Sequence, residues 1–281
     1  MEIKLGSLAL TIVRCWERAE AATATVIAAQ FPHPCEEEIT FLFGGKLRSE
    51  VDEASRKRSF ELALLTDLEL NYPRHMADSF ARFRGLIARV NFHSRAHEGL
   101  RSGADVGVVI TRPSICVGTQ PGSVTVVRDS PRALMAQAKL GKAREEGATP
   151  IKWGQLTERQ KHLIPAHSDY YALLLYRLIA GHTLAPFRWQ LCCGRTADEI
   201  NDWLCAGRFP GEVSSGDVIH ALSTGRLGSD SQSVIDSFVD PSASHARAVE
   251  IRVFWPEGKG PDGRMLLQFR ERQQARQFAA L

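Results

Sequence analysis

The stretch that decides the fold is residues 133–140, which read ALMAQAKL. Its length and apolar content predict a strand, and Gln137 and Lys139 are its two polar residues. Because side chains alternate along a strand, these two point to one face, while Ala136 and Ala138 point to the other. In a central strand both polar groups would need partners at the same place. In an edge strand they would face solvent, and this alternative stays open.

A second predicted strand lies upstream, over residues 105–110 (DVGVVI), and it begins with Asp105. A carboxylate that enters a buried strand costs free energy unless another group pairs with it. A divalent metal ion is one such partner. The alternative is an ordinary turn residue that precedes the strand, where Asp is common.

The rest of the chain shows a change of hydrophobic period from helical to extended near residue 86. Helices are predicted at 7–30, 35–56, parts of 59–82, 155–163, 196–206 and 217–222, and further strands at 86–92, 124–127, 170–176, 188–193 and 249–255. Residues 223–247 are rich in Ser, Gly and Asp, which predicts a flexible loop. We expect one continuous α/β domain, divided into an N-terminal helix (1–34), a core (35–180) and a C-terminal α/β elaboration packed on that core (181–281).

The combination of Asp105 with Gln137-Ala138-Lys139 resembles the core signature of the PD-(D/E)XK nucleases. In that signature one strand begins with Asp and a later strand carries (Asp/Glu/Gln)-x-Lys. The glutamine variant is similar to the Mrr-type restriction endonuclease branch. The resemblance implies a restriction-endonuclease-like mixed central sheet flanked by helices. It covers roughly residues 35–180.

The same branch places a glutamate on a helix before the first core strand, and Glu36-Glu37-Glu38 resembles that position. Glu36 shares a helical face with Ile39 and Phe43, so it is expected to face inward, and Glu37 is the next candidate. The alternative is a solvated charge cluster at a helix N-terminus.

Two features depart from the family pattern. Ala104 stands where the family has proline, and 32 residues separate Asp105 from Gln137 (137 − 105). That separation is longer than a simple hairpin, so residues 112–131 are expected to be an insertion.

The chemistry that the resemblance implies is hydrolysis of phosphodiester bonds with Mg²⁺ or Mn²⁺. Asp105, Gln137 and a helix glutamate, Glu36 or Glu37, would hold the metal, and Lys139 would orient water or neutralise charge. Arg101, Lys142 and Arg144 are further candidates for phosphate contacts, although a solvated surface position is the simpler interpretation of each.

The partners that the resemblance implies are nucleic acid, most simply DNA, and a partner protein of a bacterial defence system against foreign DNA. A homodimer is compatible with it. A catalytically inactive nucleic-acid-binding or protein-interaction subunit of the same fold is the main alternative.

Composition sets weaker limits. The net charge of +3 permits nucleic-acid binding without arguing for it. No run is long and apolar enough to span a bilayer, and no secretory signal is expected, so a cytoplasmic location is predicted. The six cysteines lack Cys-x-x-Cys spacing and are expected to be buried free thiols.

A zinc hydrolase is a further alternative, because His93 and His97 are four residues apart, His162 and His167 are five apart, and Glu98 is nearby. However, His93 falls at the end of a predicted strand, where that spacing does not converge. No His-Glu-x-x-His, Gly-x-Ser-x-Gly or Walker motif occurs in the chain.

Overall fold

The computed structural model describes residues 4–30, 34–71, 85–93, 106–117, 124–143, 152–163, 170–179, 183–239 and 247–256. The helices in these ranges are α1 (Gly6–Gln30), α2 (Glu36–Arg56), α3 (Ser59–Asn71), α4 (Glu158–Leu163), α5 (Ala197–Ala206), α6 (Ser215–Ser223) and α7 (Gln232–Val239). The strands are β1 (Ile87–His93), β2 (Val106–Val117), β3 (Val124–Lys142), β4 (Lys152–Trp153), β5 (Tyr171–Ile179), β6 (Thr183–Leu184), β7 (Arg188–Leu191), β8 (Val213–Ser214) and β9 (Arg247–Phe254).

These nine strands form one sheet with the order β1-β9-β2-β3-β5-β7-β8, while β4 pairs with β3 and β6 with β5. The pairs β2–β9 and β3–β5 are parallel, and the remaining pairs are antiparallel. The predicted α/β class with a mixed central sheet is therefore confirmed. None of the helices within the described ranges has both the length and the apolar character needed to cross a membrane.

Strand β3 is buried on both faces. Its even-numbered residues Leu134, Ala136 and Ala138 pack in one apolar cluster with α1, α2 and α6. Its odd-numbered residues Ala133 and Met135 pack in a second cluster with α5 and α7. The strand is therefore central, and the alternative of a solvated edge strand is excluded for this stretch.

The predicted insertion at residues 112–131 is wrong in the ranges that the structure describes. β2 and β3 pair from Val106↔Ala136 to Val117↔Val124, with one register shift at Ser114/Ile115. The runs predicted at 124–127 and 133–140 are thus one strand. Pro131 lies opposite Thr111 within this ladder. In an antiparallel ladder, alternate residues direct their N–H groups to opposite edges of the strand. A proline, which has no N–H group, is tolerated where that group would point away from the paired strand.

The predicted flexible loop at 223–247 is also wrong in part, because it contains α7. Val234, Ile235 and Phe238 of this helix are buried against the sheet. A short helix with one apolar stripe among polar residues forms mainly through its tertiary packing, which the local sequence does not show.

Strand β9 lies inside the sheet, between β1 and β2. The strand predicted at residues 249–255 is confirmed at 247–254, but its position follows from long-range pairing. The sheet therefore extends across the predicted boundary between residues 180 and 181.

The five cysteines whose side chains the structure describes are free thiols. Cys15 and Cys192 are buried, as predicted, and burial raises the pKa of each thiol to about 12. Cys35, Cys193 and Cys205 are exposed, so the prediction of buried thiols is wrong for them.

Gly107 of β2 allows a close approach of α7 to the sheet. A Cβ atom at this position would lie 2.3 Å from Cδ1 of Phe238, well inside van der Waals contact. The Phe238 ring is fully buried on this face. The residue at position 107 therefore has to be glycine for α7 to pack as it does.

We expect Gly107→Ala to lower the free energy of unfolding by about 1–3 kcal/mol, because the added methyl group overpacks the interface. Gly45→Ala is the matched control: Gly45 is exposed within α2, and its Cβ would meet nothing within 4 Å. That change should raise the free energy of unfolding by about 1 kcal/mol, because alanine is the better helix former. Urea titration measures both values, and equal stability of the two variants would contradict this packing.

Glu20 is a buried carboxyl group in the packing of α1 against the segment that leads into β7. Trp16 Nε1 donates a hydrogen bond to its Oε1 at 2.7 Å, and the Phe187 amide donates to its Oε2 at 3.4 Å. Burial raises the pKa of Glu20 from 4.5 to about 7, although hydrogen bonds from Ser215, Trp16 and Phe187 partly oppose this rise.

This raised pKa predicts a pH-dependent stability. Between pH 4.5 and about 7 the folded protein holds a proton that the unfolded chain releases. The free energy of unfolding should therefore fall by about 2–3 kcal/mol as the pH rises through this window. Glu20→Gln keeps the shape of the neutral acid and should remove that part of the dependence. Urea titrations at several pH values test this, and an identical slope in both proteins would contradict it.

Candidate active site

Gln137 and Lys139 lie on the same face of β3, as predicted. Their odd positions place them with Met135, on the side of the sheet that α5 and α7 cover. Gln137 is 1% exposed and Lys139 is 6% exposed. An amide and an ammonium group are thus brought together in an apolar layer, where polar groups require partners.

The contacts of these two side chains are long for hydrogen bonds. The Tyr171 hydroxyl donates to Gln137 Oε1 at 3.4 Å, and Gln137 Nε2 lies 3.5 Å from the Ala138 carbonyl oxygen. Lys139 Nζ donates to the Gln155 carbonyl oxygen at 3.3 Å. Good hydrogen bonds of these types are near 2.8–3.0 Å, so both groups are held loosely.

The segment of residues 153–156 covers Lys139, and α5 holds this segment in place. The Leu156 amide donates to Asn201 Oδ1 at 3.3 Å, and Gln155 Nε2 donates to Cys205 Sγ at 3.3 Å. The helix predicted from Gln155 begins only at Glu158. Gln155 is therefore free to present its carbonyl oxygen to the lysine.

Glu36 connects α2 to the same part of β3. Its Oε2 accepts a hydrogen bond from the Leu140 amide at 3.0 Å. Thr40, one turn further along α2, forms a hydrogen bond with the Tyr176 hydroxyl of β5 at 2.9 Å. These two contacts fix the beginning of α2 against the sheet.

The other two glutamates of the cluster have different contacts. Glu38 accepts a hydrogen bond from the Cys35 amide at 2.7 Å, closing the capping box of α2, and this bond lowers the pKa of Glu38. Glu37 is exposed and lies 3.4 Å from Cys35 Sγ. Of the three, Glu36 is the one placed inward, in agreement with its helical position.

The Glu36 carboxylate lies at one edge of β3, next to the start of β2. The Ala133 and Ala143 amides donate on the β5 side of the strand, to Ser229 and Leu178. Backbone N–H groups alternate between the two edges, so the Leu140 amide points to the other edge, the side of β2 and β4. β2 pairs with β3 from Val106↔Ala136, and β4 pairs from Gly141. Glu36 contacts Leu140, which lies between these two paired parts of β3.

Asp105 lies outside the described residues. It precedes Val106, the first described residue of β2, directly in the chain. Val106 is paired with Ala136, which is the residue directly before Gln137 in β3. The metal-binding role of Asp105 stays a prediction.

Several other predicted residues also lie outside the described ranges, namely Arg101, Arg144, His97, His167 and Glu98. Lys142 is exposed at the end of β3. The backbone of His93 ends β1, as predicted, and that of His162 lies in α4. The zinc alternative stays untested.

Gln190 of β7 is a polar residue of this face that the sequence analysis missed. It is aligned with Gln137 across the sheet, because both are register partners of Leu173 in β5. Gln190 is 4% exposed, and its Oε1 has no hydrogen-bond partner within the described ranges. One signal was present in the sequence: a lone amide in the otherwise apolar run of residues 189–193, WQLCC.

The donor set suits a hard cation. Carboxylate and amide oxygens are the ligands that Mg²⁺ and Mn²⁺ prefer, and among the described residues the Gln137 oxygen has one long hydrogen bond to give up. Within the described part of the chain, no three His, Cys, Asp or Glu side chains group as metal ligands.

Comparison of the chain with family models, curated proteins and solved structures found no match.

The Glu36 contact makes a prediction that is independent of function. Glu36→Ala should lower the free energy of unfolding by about 1–2 kcal/mol, because it leaves the Leu140 amide without its acceptor. Glu37→Ala is the matched control, with the same change in charge and helix propensity at an exposed position, and should stay within about 0.5 kcal/mol of the parent. Denaturant unfolding distinguishes the two, and an equal effect would show that the contact contributes nothing.

Proposed function

We propose that this protein is a metal-dependent nuclease that hydrolyses phosphodiester bonds, with DNA as its substrate. The observation that carries the proposal is the burial of Gln137 and Lys139 on one face of a central strand, with the Glu36 carboxylate bound to the next backbone amide of that strand. The three residues come from two distant parts of the sequence. Their arrangement fits the signature that Asp105 and Gln137-Ala138-Lys139 resemble.

The topology around β3 supports a restriction-endonuclease-like core. β2 and β3 are antiparallel, and β5 returns parallel to β3 after a connection that contains α4. Such a parallel return needs a long crossover, usually helical. β9, between β1 and β2, would be an addition to that core.

In this proposal Asp105, Gln137 and Glu36 would hold Mg²⁺ or Mn²⁺. A bound divalent ion lowers the pKa of a coordinated water and stabilises the charge of the pentacovalent phosphate. Lys139 would supply a positive charge beside the scissile phosphate, in a layer where water does not screen it. Segment 153–156 and α5 limit the movement of the lysine. A role in defence against foreign DNA, together with a partner protein, rests on the resemblance alone.

The second candidate is a catalytically inactive subunit of the same fold that binds nucleic acid or protein. The burial of both polar side chains favours it, because exposures of 1% and 6% leave little access for a phosphate. Glutamine in place of an acidic residue also provides one charge less to hold a metal ion.

Lys139→Met, compared with Lys57→Met, tests the nuclease proposal. Lys57 is exposed just after α2 and has no role in the proposed site, and the two variants remove the same charge. With Mg²⁺ or Mn²⁺ we expect the parent and Lys57→Met to cleave DNA, and Lys139→Met to be slower by about 100-fold or more. Asp105→Ala should abolish cleavage, and EDTA should stop it. Gel assays on duplex DNA, single-stranded DNA and RNA measure these rates.

Circular dichroism and melting curves establish that each variant is folded. Equal cleavage by the two lysine variants would refute the assigned site. A parent protein that binds DNA but cleaves none of the substrates with either metal would support the inactive subunit instead.

A further inference from the structure

A cavity of about 540 Å³ lies between α1 and the segment that joins β6 to β7, beside the first turn of α6. Sites for small molecules have volumes of about 300–1,000 Å³, so this cavity is large enough for a ligand. Among its lining residues, Glu17 and Ala21 are exposed, whereas Glu20 and Phe187 are buried. The cavity therefore connects solvent to buried groups.

Much of the lining is apolar and held in place. The Phe187 ring makes edge contacts with Phe43 and Tyr176, with ring centroids 5.2 and 4.7 Å apart. Its neighbour in the wall, Leu184, is only 4% exposed. The apolar lining residues are Ala21, Ala24, Leu184, Pro186 and Phe187. A ligand with a hydrocarbon part is therefore favoured over a bare inorganic ion.

Two glutamates line the same cavity. Glu17 and Glu20 are three residues apart on α1, so they are neighbours on one helical face. A Cβ atom on Gly216 would lie 2.8 Å from Glu17 Oε1, so the absence of a side chain at position 216 leaves room for this carboxylate beside α6. The cavity thus combines apolar walls with two acidic groups, which is the lining that an organic cation requires.

The surroundings of Glu20 contain a conflict that a cation would remove. Both of its oxygens accept hydrogen bonds from N–H groups, those of Trp16 and Phe187, and such donors stabilise the ionised carboxylate. Burial opposes ionisation and is the main cause of the raised pKa of Glu20, to about 7, and the charge of Glu17 contributes a smaller rise. A positive charge in the cavity would stabilise the ionised form for which the N–H donors are placed.

We propose that this cavity binds a small organic amine. The protonated amino group would contact Glu17 and Glu20, because an ammonium group has three N–H donors for carboxylate oxygens. The hydrocarbon part would pack against Leu184 and Phe187. Helix α1 packs on the face of the sheet opposite Gln137 and Lys139, so the proposal does not depend on nuclease activity.

Titration of the whole chain with n-hexylammonium chloride, followed by NMR, tests the site. The indole N–H of Trp16 donates to Glu20, so its resonance reports a cation bound there. We expect this resonance to shift saturably with hexylammonium. Hexan-1-ol has the same hydrocarbon chain without the charge and should bind at least about tenfold more weakly, the loss expected for a charge-assisted contact.

Three variants locate the charge. Glu17→Gln should weaken hexylammonium binding by about two- to fivefold, the effect of one exposed ion pair. Glu69→Gln is the matched control, with the same change at an exposed position on α3, and should leave the affinity unaltered. Arg188→Gln removes the basic residue of the lining and should leave the affinity equal or higher, because a cation is not held by an arginine.

The affinity should also depend on pH. Between pH 6 and 8 Glu20 becomes ionised in the free protein, whereas an alkylammonium group, like that of lysine, stays protonated, so binding should tighten by about five- to tenfold. Glu17 and Arg188 are the other charged groups of the lining. Glu20→Gln should remove most of this dependence. Glu17 is exposed, so its variant keeps the test valid if Glu20→Gln folds poorly.

Four results would overturn the proposal. These are the absence of a saturable shift of Trp16, equal affinity for hexan-1-ol, equal affinity of the Glu17 and Glu69 variants, and a loss of binding confined to Arg188→Gln. The last result would show that the cavity selects an anion.

Discussion

The burial of β3 on both of its faces is the constraint on which the rest of the structure depends. The strand has β2 and β5 on its two sides and helices above and below. Every side chain between residues 133 and 139 is therefore inside the protein. Any polar group placed on this stretch costs free energy unless a partner, a water molecule or a ligand compensates for it.

Gln137 and Lys139 are polar side chains within this buried stretch. Apolar residues at both positions would satisfy the packing, as Met135 does two residues earlier. The polar pair instead has contacts of 3.3–3.5 Å, which stabilise little. Poorly satisfied buried polar groups concentrate at functional sites. The Glu36 carboxylate, on a helix that packs against the opposite face of the sheet, binds the Leu140 amide at the edge of the same strand. This is the physical reason for placing chemistry here.

The sequence predicted what depends on local periodicity. The helical spacing of Ile12, Trp16 and Ala19 marked α1, and the apolar run at 170–176 marked the doubly buried β5. The inward position of Glu36 also followed from helical spacing. The positions of β9 and α7 depended on distant partners, since β9 pairs with β1 and β2 and Phe238 of α7 packs on Gly107. Prolines lie within β2 and β3, so the sequence did not predict the full length of the β2–β3 ladder. Gln190 is aligned with Gln137 only through the register of β7 with β5, which the sequence does not show.

The central claim is that Asp105, Gln137 and Glu36 form one metal site at the edge of β3. Anomalous diffraction from crystals grown with Mn²⁺ tests it most directly, because it locates the ion without relying on activity. We expect one strong peak about 2.0–2.4 Å from oxygen atoms of Asp105 and Gln137, with Glu36 in the same coordination shell or bound to its water. A crystal with no peak beside residues 137–140, or with Asp105 on the opposite face of the sheet from Gln137, would contradict the account.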